Sequence, residues 1–376
     1  MPSPAPSGPH EPVRSRPPLL DALVLGAGVH GLCSAFALRR AGLRRITVVE
    51  AHGPGHELGG SHGRTRITRS SYDRPRFVQM AREAHARGWP ELEAALGRSL
   101  RIRTPGLFFG PPGPFDAYVA ATLGAGADVE PLPAAAARAR FPLLAVDDGE
   151  QALLDHTAAM VLAAETMAGL RAWLAEHGVE LRWQSPVRHL EVEDDAVVAT
   201  CGDERLRARC AVAALGAWLP RLLADGGPPL VPLRQSVGYF AVDAPAAQCR
   251  APAFPVWARI APGDDGFSYG LPDHADAGLK LALHRTVGRA DALDATVPPA
   301  DPQALSRLAR ERFAVPVRGL RASERCLYAM APEHEFTIAP APVSPRLIAV
   351  AACSGHGFKF GPVVGRIAAE LALAGR

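Results

Sequence analysis

Apolar and polar positions fall in blocks that predict most of the elements. Leu20 to Leu25 is a short, mostly apolar run that reads as a strand. Gly26-Ala27-Gly28-Val29-His30-Gly31 follows, and Leu32, Ala35, Phe36 and Leu38 then recur at helical spacing as far as Arg40, before Gly42. Ile46 to Val49 predicts a second buried strand, ending at Glu50. Strand, glycine turn, helix and strand together have the length of a Rossmann half.

Further along, Phe77 to Leu96 predicts an amphipathic helix broken near Gly88 and Pro90, and Arg101 to Gly110 predicts strand. A turn from Leu153 leads to a predicted helix from Ala158 to His177. Four short strands are expected next, at Glu180–Trp183, Val187–Val192, Ala196–Cys201 and Arg205–Ala208. Cys210 to Leu215 reads as a buried strand closing on Gly216-Ala217-Trp218, and Leu230 to Arg325 alternates strands with proline-rich loops. Arg346 to Ala352 is a last buried strand, running into Ser354-Gly355-His356-Gly357 and a helix from Gly361 to Leu373. No internal repeat is present.

The fold class is therefore α/β, a Rossmann-like dinucleotide-binding domain with an inserted strand-rich domain. Residues 1–17 read as a disordered tail. Residues 18–95, 150–228 and 322–376 are assigned to the dinucleotide domain, and 96–149 and 229–321 to the substrate domain. Ligands in such folds lie at the ends of the parallel strands, facing the insertion.

Composition narrows the partners. The chain has 376 residues, enough for two cores, and no apolar run long enough to span a bilayer. Its net charge of +3 comes with scattered arginines, so a small molecule is expected rather than nucleic acid or membrane. Six cysteines without a C-x-x-C spacing point to free thiols in a reducing cytoplasm. The tail has no apolar h-region and so does not read as a signal peptide. A monomer is expected.

Gly26, Gly28 and Gly31 form G-x-G-x-x-G between strand and helix. The first glycine permits the tight turn, the second a close pyrophosphate, and the third close packing of helix on strand. Glu50 stands nineteen residues after Gly31, placed to accept hydrogen bonds from a ribose. An acidic residue there argues against a 2′-phosphate, which leaves FAD or NAD open. His52, His56 and His62 lie close in sequence but lack helical or strand register and an accompanying Cys or Asp, so no metal site is assigned.

Four further segments carry a resemblance. Gly60-Ser61-His62-Gly63-Arg64-Thr65-Arg66-Ile67-Thr68-Arg69, Gly278-Leu279-Lys280-Leu281 through His284, Cys326-Leu327-Tyr328 leading to Pro332-Glu333-His334-Glu335-Phe336, and Ser354-Gly355-His356-Gly357-Phe358-Lys359-Phe360 occur in that order. They resemble the signatures of the monomeric sarcosine oxidase family, which includes N-methyltryptophan and pipecolate oxidases. The resemblance covers nearly the whole chain after the tail. It implies FAD, a fold like that of glutathione reductase and D-amino-acid oxidase, and oxidation of a C–N bond to an imine while O2 becomes H2O2.

The resemblance also implies roles. Cys326 matches the cysteine joined to the flavin ring, with Tyr328 nearby. Lys280 matches a lysine held near flavin N5, where a fixed charge stabilises charge developing on O2. Arg69 and Lys359 match the pair that holds the substrate carboxylate, a planar fork beside a point charge. Lys280 and Lys359 are the only two lysines in a chain rich in arginine. Tyr269 and His284 match pocket-lining groups, with His284 positioning rather than acting as a base. Ser61, Thr65, Arg66, Gly216, Trp218, Gly355, His356 and Gly357 are assigned, with Lys359, to the cofactor's surroundings.

Three positions depart from the family pattern. They are Ala339, where an aspartate is usual, Cys353, where an aromatic is common, and Trp257, near a smaller pocket residue. The substrate is thereby left open among N-methyl amino acids, cyclic imino acids and biosynthetic amines. A dehydrogenase using another acceptor and a non-catalytic FAD-binding subunit stand as alternatives.

Overall fold

In a computed structural model, residues 18–223, 226–263, 266–284, 293 and 302–376 are described. The expected tail, residues 1–17, lies outside them. A six-stranded sheet runs Glu180–Arg182, Ile46–Val49, Ala22–Leu25, Ala211–Ala213, Ser344–Ala351, Thr337–Ala341. Its first five strands are parallel and the last is antiparallel. Ala22, Leu23, Val24 and Leu25 are all fully buried, because both faces of this sheet are covered. Helices Val29–Arg40, Ala163–Glu176 and Gly361–Ala374 pack one face. Burial of each large aliphatic side chain here stabilises the fold by about 1.5–3 kcal/mol. Asp21 interrupts the first apolar run: its carboxylate accepts from the backbone of Arg44 and Arg45, so Leu19–Leu20 leaves to pair with Glu204–Ala208 instead.

An eight-stranded sheet faces this unit, in the order Val317–Met330, Val231–Val242, Leu279–Leu283, Phe267–Leu271, Val256–Ile260, Gly106–Gly110, Gln151–Asp155, Val129–Pro133. All its pairings are antiparallel except Val256–Ile260 with Gly106–Gly110. A three-stranded sheet, Thr65–Thr68, Ala159–Leu162 and Arg101–Arg103, carries the Arg66–Arg69 segment. Strands Gln151–Asp155 and Val317–Met330 pair with the insertion's strands, although the chain on their far sides returns to the six-stranded sheet or its helices.

The expected helix over 158–177 begins only at Ala163. Ala159–Leu162 is strand, because it pairs with two neighbours and both its faces are buried. Helices Pro114–Gly124, Ala134–Arg140 and Pro302–Arg312 were not foreseen. The break near Gly88 is a π turn, Ala84–Gly88, joining helices Pro75–Glu83 and Trp89–Leu96. No helix among the described residues is long and apolar enough to cross a membrane.

Candidate active site

The glycine turn is shaped by contact. Gly26 has φ +97°, and a Cβ on it would lie 2.6 Å from the Ala214 carbonyl oxygen. A Cβ on Gly31 would lie 1.8 Å from the Gly26 carbonyl oxygen, so no side chain fits where helix meets turn. The amide of Val29, at the helix start, donates to Ser61 Oγ at 3.0 Å. Glu50 lies against the same turn, with Oε2 accepting from Ala27 N at 2.8 Å and Oε1 from His52 N at 3.1 Å.

These groups border a cavity of about 900 Å³, lined by Gly26, Gly28, Glu50, Ser61, Gly216 and Trp218 among others. A second cavity of about 500 Å³ adjoins it, and Gly60, His62, Glu324, Cys353 and Phe358 line both. Two joined chambers, one at a helix N-terminus and one among cations and aromatics, fit an elongated dinucleotide with a ring at one end. His62 Nε2 is buried at their junction with no partner among the described residues, as expected where a ligand supplies one.

The smaller chamber brings together Thr65, Arg66, Arg69, Tyr269, Lys280, His284, Cys326, Tyr328, Gly355, His356, Gly357 and Lys359, drawn from five separate stretches of chain. Arg66 braces its floor, donating to the carbonyls of Gly60, His62 and Thr65. Arg69 is 8% exposed, donates to Ser71 O and Tyr118 Oη, and stacks 4.2 Å from the Tyr72 ring centroid. Lys359 Nζ lies over the same ring, 5.5 Å from its centroid. Among the described residues no carboxylate lies within ion-pair distance of either cation. The neighbouring Asp155 instead accepts from Ser70, Ser71 and Thr157. Burial and then Arg69 hold the Lys359 ammonium well below the usual lysine range. A bound carboxylate would reverse that, since an opposite charge favours the charged form.

Lys280 is 3% exposed and donates to Thr65 O at 2.9 Å. Tyr269 and Tyr328 hydroxyls meet at 3.3 Å, and the His284 ring lies 5.5 Å from Tyr328 and 4.8 Å from Phe267. Burial pushes His284 down to about 3, so its imidazole is neutral at ordinary pH. His356 is enclosed by Phe77, Phe336 and Phe360. Cys326 Sγ lies 3.9 Å from Gly60 O.

Every residue assigned to the site from sequence therefore borders one of the two chambers, apart from Gly31, which packs beneath the turn. Trp257 does not line them. It is fully buried and packs against Phe109 and Phe313, because a neighbouring glycine, Gly270, leaves room for its indole. Sequence reasoning missed Tyr72, Phe108 and Tyr118 around Arg69, Asp155 behind it, and Glu324 at the junction. Tyr72 was findable as the aromatic three residues after Arg69; the others are brought in by tertiary pairing alone. His52 and His56 rings stand 4.8 Å apart beside Glu50. Among the described residues no group of three or more metal-holding side chains occurs.

Residues 21–371 match the family described as FAD dependent oxidoreductase. The chain is 32% identical to monomeric sarcosine oxidase of Streptomyces avermitilis, over 95% of this chain and 94% of that protein. It is 27% identical to N-methyl-L-tryptophan oxidase of Salmonella heidelberg, over 94% of each. The solved open form of NikD, an unusual amino acid oxidase essential for nikkomycin biosynthesis, superposes with a TM-score of 0.80 at 23% identity, covering 94% of this chain and 93% of that one. At that identity the superposition speaks for the fold.

Proposed function

The chain belongs to the FAD-dependent oxidoreductase family, as a relative of the monomeric sarcosine oxidases, and on that premise we propose that it oxidises a secondary amine bearing a carboxylate. The substrate is an N-methyl amino acid or a cyclic imino acid. The names of the sarcosine and N-methyltryptophan oxidases support this class. The observation that carries it is the pair Arg69 and Lys359, two buried cations facing one chamber without a protein carboxylate at ion-pair distance among the described residues. Buried charges require a partner. At an effective dielectric near 20, one charge pair at 4 Å is worth about 4 kcal/mol, enough to orient a small anion.

FAD, when bound, supplies the two-electron carrier. Overall, CH–NH becomes C=N with loss of two electrons and two protons, and O2 takes up both as H2O2. Arg69 and Lys359 hold the carboxylate, and the rings of Tyr72 and Phe108 close water out around Arg69. Tyr269, Tyr328 and the neutral His284 orient the amine from the side. Lys280 places a cation on the side of the chamber nearest the glycine-rich loop. Cys326, in the same chamber, would be the residue that holds the cofactor covalently through its sulfur. The six-stranded sheet with its helices serves as the FAD domain and the eight-stranded sheet as the substrate domain. The chain works as a cytoplasmic monomer; six free thiols agree with a reducing compartment.

The deciding experiment is an anaerobic panel of secondary amino acids, read as flavin bleaching, followed by admission of air with H2O2 quantified. Bleaching by acidic secondary amines and near-stoichiometric H2O2 are expected. Bleaching with no H2O2 would transfer the chain to the dehydrogenases, and a flavin left oxidised by every amine would make it a binding subunit.

A further inference from the structure

Three adjacent strands place one further group at the junction of the chambers. Tyr239 stands opposite Lys280 on one side, and Val237 stands opposite Glu324 on the other. Directly opposed residues, and residues two apart on one strand, share a sheet face. Lys280, Tyr239 and Glu324 thus lie on one face with Cys326, which is two residues beyond Glu324. Tyr239 Oη donates to Glu324 Oε2 at 2.9 Å, and the Lys280 ammonium lies 5.6 Å from the Tyr239 ring centroid. Glu324 and Asp73 are the two carboxylates on the smaller chamber, and of these only Glu324 also lines the larger one.

We propose that Glu324 is a positioning residue that keeps the Lys280 ammonium charged, with Tyr239 fixing its carboxylate from the strand between them. The surroundings make such a group necessary. Lys280 is buried, its hydrogen-bond acceptor among the described residues is the neutral Thr65 carbonyl, and the fixed cation Arg66 comes from the same segment as Thr65. Burial, and next Arg66, press Lys280 down to about 7, while Glu324 and then Cys326 oppose them. His62, from the same loop, is pushed down to about 4, chiefly by burial, and adds no charge near neutrality. From the Phe267–Leu271 strand the titratable neighbour is Tyr269, whose phenol burial pushes up, so it stays neutral. Glu324 is the carboxylate that this sheet face sets, through Tyr239, on the side of Lys280, where an opposite charge favours the charged ammonium. The consequence for O2 rests on the oxidase function proposed above; the charge state of Lys280 does not.

The chain has two lysines, so flavoprotein made with lysine labelled by 13C at the ε-carbon gives two resonances that titrate separately. In Glu324→Gln the Lys280 midpoint should fall by about one pH unit or more, as expected on losing a nearby opposite charge, with Lys359 unmoved. Tyr239→Phe, which frees the carboxylate to turn away, should lower it in the same direction by less. An unmoved Lys280 midpoint in Glu324→Gln overturns the proposal, as does an equal fall at Lys359. If Glu324→Gln does not retain flavin, an unmoved midpoint in Tyr239→Phe does the same. The pH at which flavin reoxidation slows should move down in step with the Lys280 midpoint. Amine bleaching with an unmoved midpoint would leave the function standing without Glu324. A moved midpoint with no amine active would do the reverse.

Discussion

Asp155 grips Ser71 twice. Its Oδ2 accepts from the Ser71 amide at 3.0 Å and from the Ser71 hydroxyl at 2.6 Å. The Ser71 carbonyl in turn accepts from the Arg69 guanidinium and, at 2.6 Å, from Tyr118 Oη. Asp155 is fully buried, and its other oxygen accepts from Thr157, which reaches Ser70 at 2.7 Å. Arg69 is thereby aimed by a carboxylate that does not neutralise it. Asp155→Asn replaces one charged acceptor with a donor facing donors. It should lower stability by about 2–3 kcal/mol, read by urea unfolding, and raise KM for acidic amines more than it lowers kcat.

Arg69→Ala should raise KM for carboxylate-bearing amines by about a hundredfold, the order expected when one member of a buried charge pair is removed. Amines without the carboxylate should be affected far less. Steady-state kinetics on a matched pair of substrates checks this, and equal loss on both would assign Arg69 to structure.

Lys359 ties binding to pH. Its ammonium is held well below the usual lysine range by burial and then by Arg69. Because the charged form is the one that grips an anion, capture weakens as pH rises through that lowered pKa, and it is intact below. The alkaline limb of kcat/KM should therefore begin below the ordinary lysine range. Lys359→Arg, which stays charged, should move that limb upward; an unchanged profile would assign it to the substrate amine.

Denatured wild-type protein should keep flavin absorbance on the chain, and Cys326→Ala should release it, seen by precipitation in acid. Cys353→Ala is the control and should retain colour, although Cys353 lies in the same chambers. Free FAD from wild type would reject the thioether.

Gly31→Ala should give protein with little flavin. The added methyl meets backbone, the Gly26 carbonyl oxygen at 1.8 Å, so the turn itself must shift. The ratio of flavin to protein absorbance after gel filtration measures the loss.

Much of the site was legible because its parts are local. The turn at Gly26–Gly31 and its flanking strands follow from short-range apolar pattern, and Arg69, Lys280 and Lys359 each sit inside a compact motif. What was illegible depends on distant pairing. Ala159–Leu162 is apolar at every position, which suits a buried helix or a buried strand equally, and only its two partners decide. His85 lies in the π turn and meets Thr68 Oγ1 at 2.6 Å, a contact that an ideal helical period would not place. Glu324 lies on a strand rich in Arg and Glu, with no local motif to single it out; Tyr239, eighty-five residues earlier, gives it a fixed place.

The two chambers overlap in only a few walls. Pro114, Ala117, Ile260, Ala261 and Phe267 line the smaller one and not the larger. Mutation at those outer positions re-cuts the space offered to a guest while the dinucleotide cradle keeps its shape. Breeding a variant for a bulkier or slimmer amine thus begins at that rim, where errors cost selectivity before they cost the cofactor.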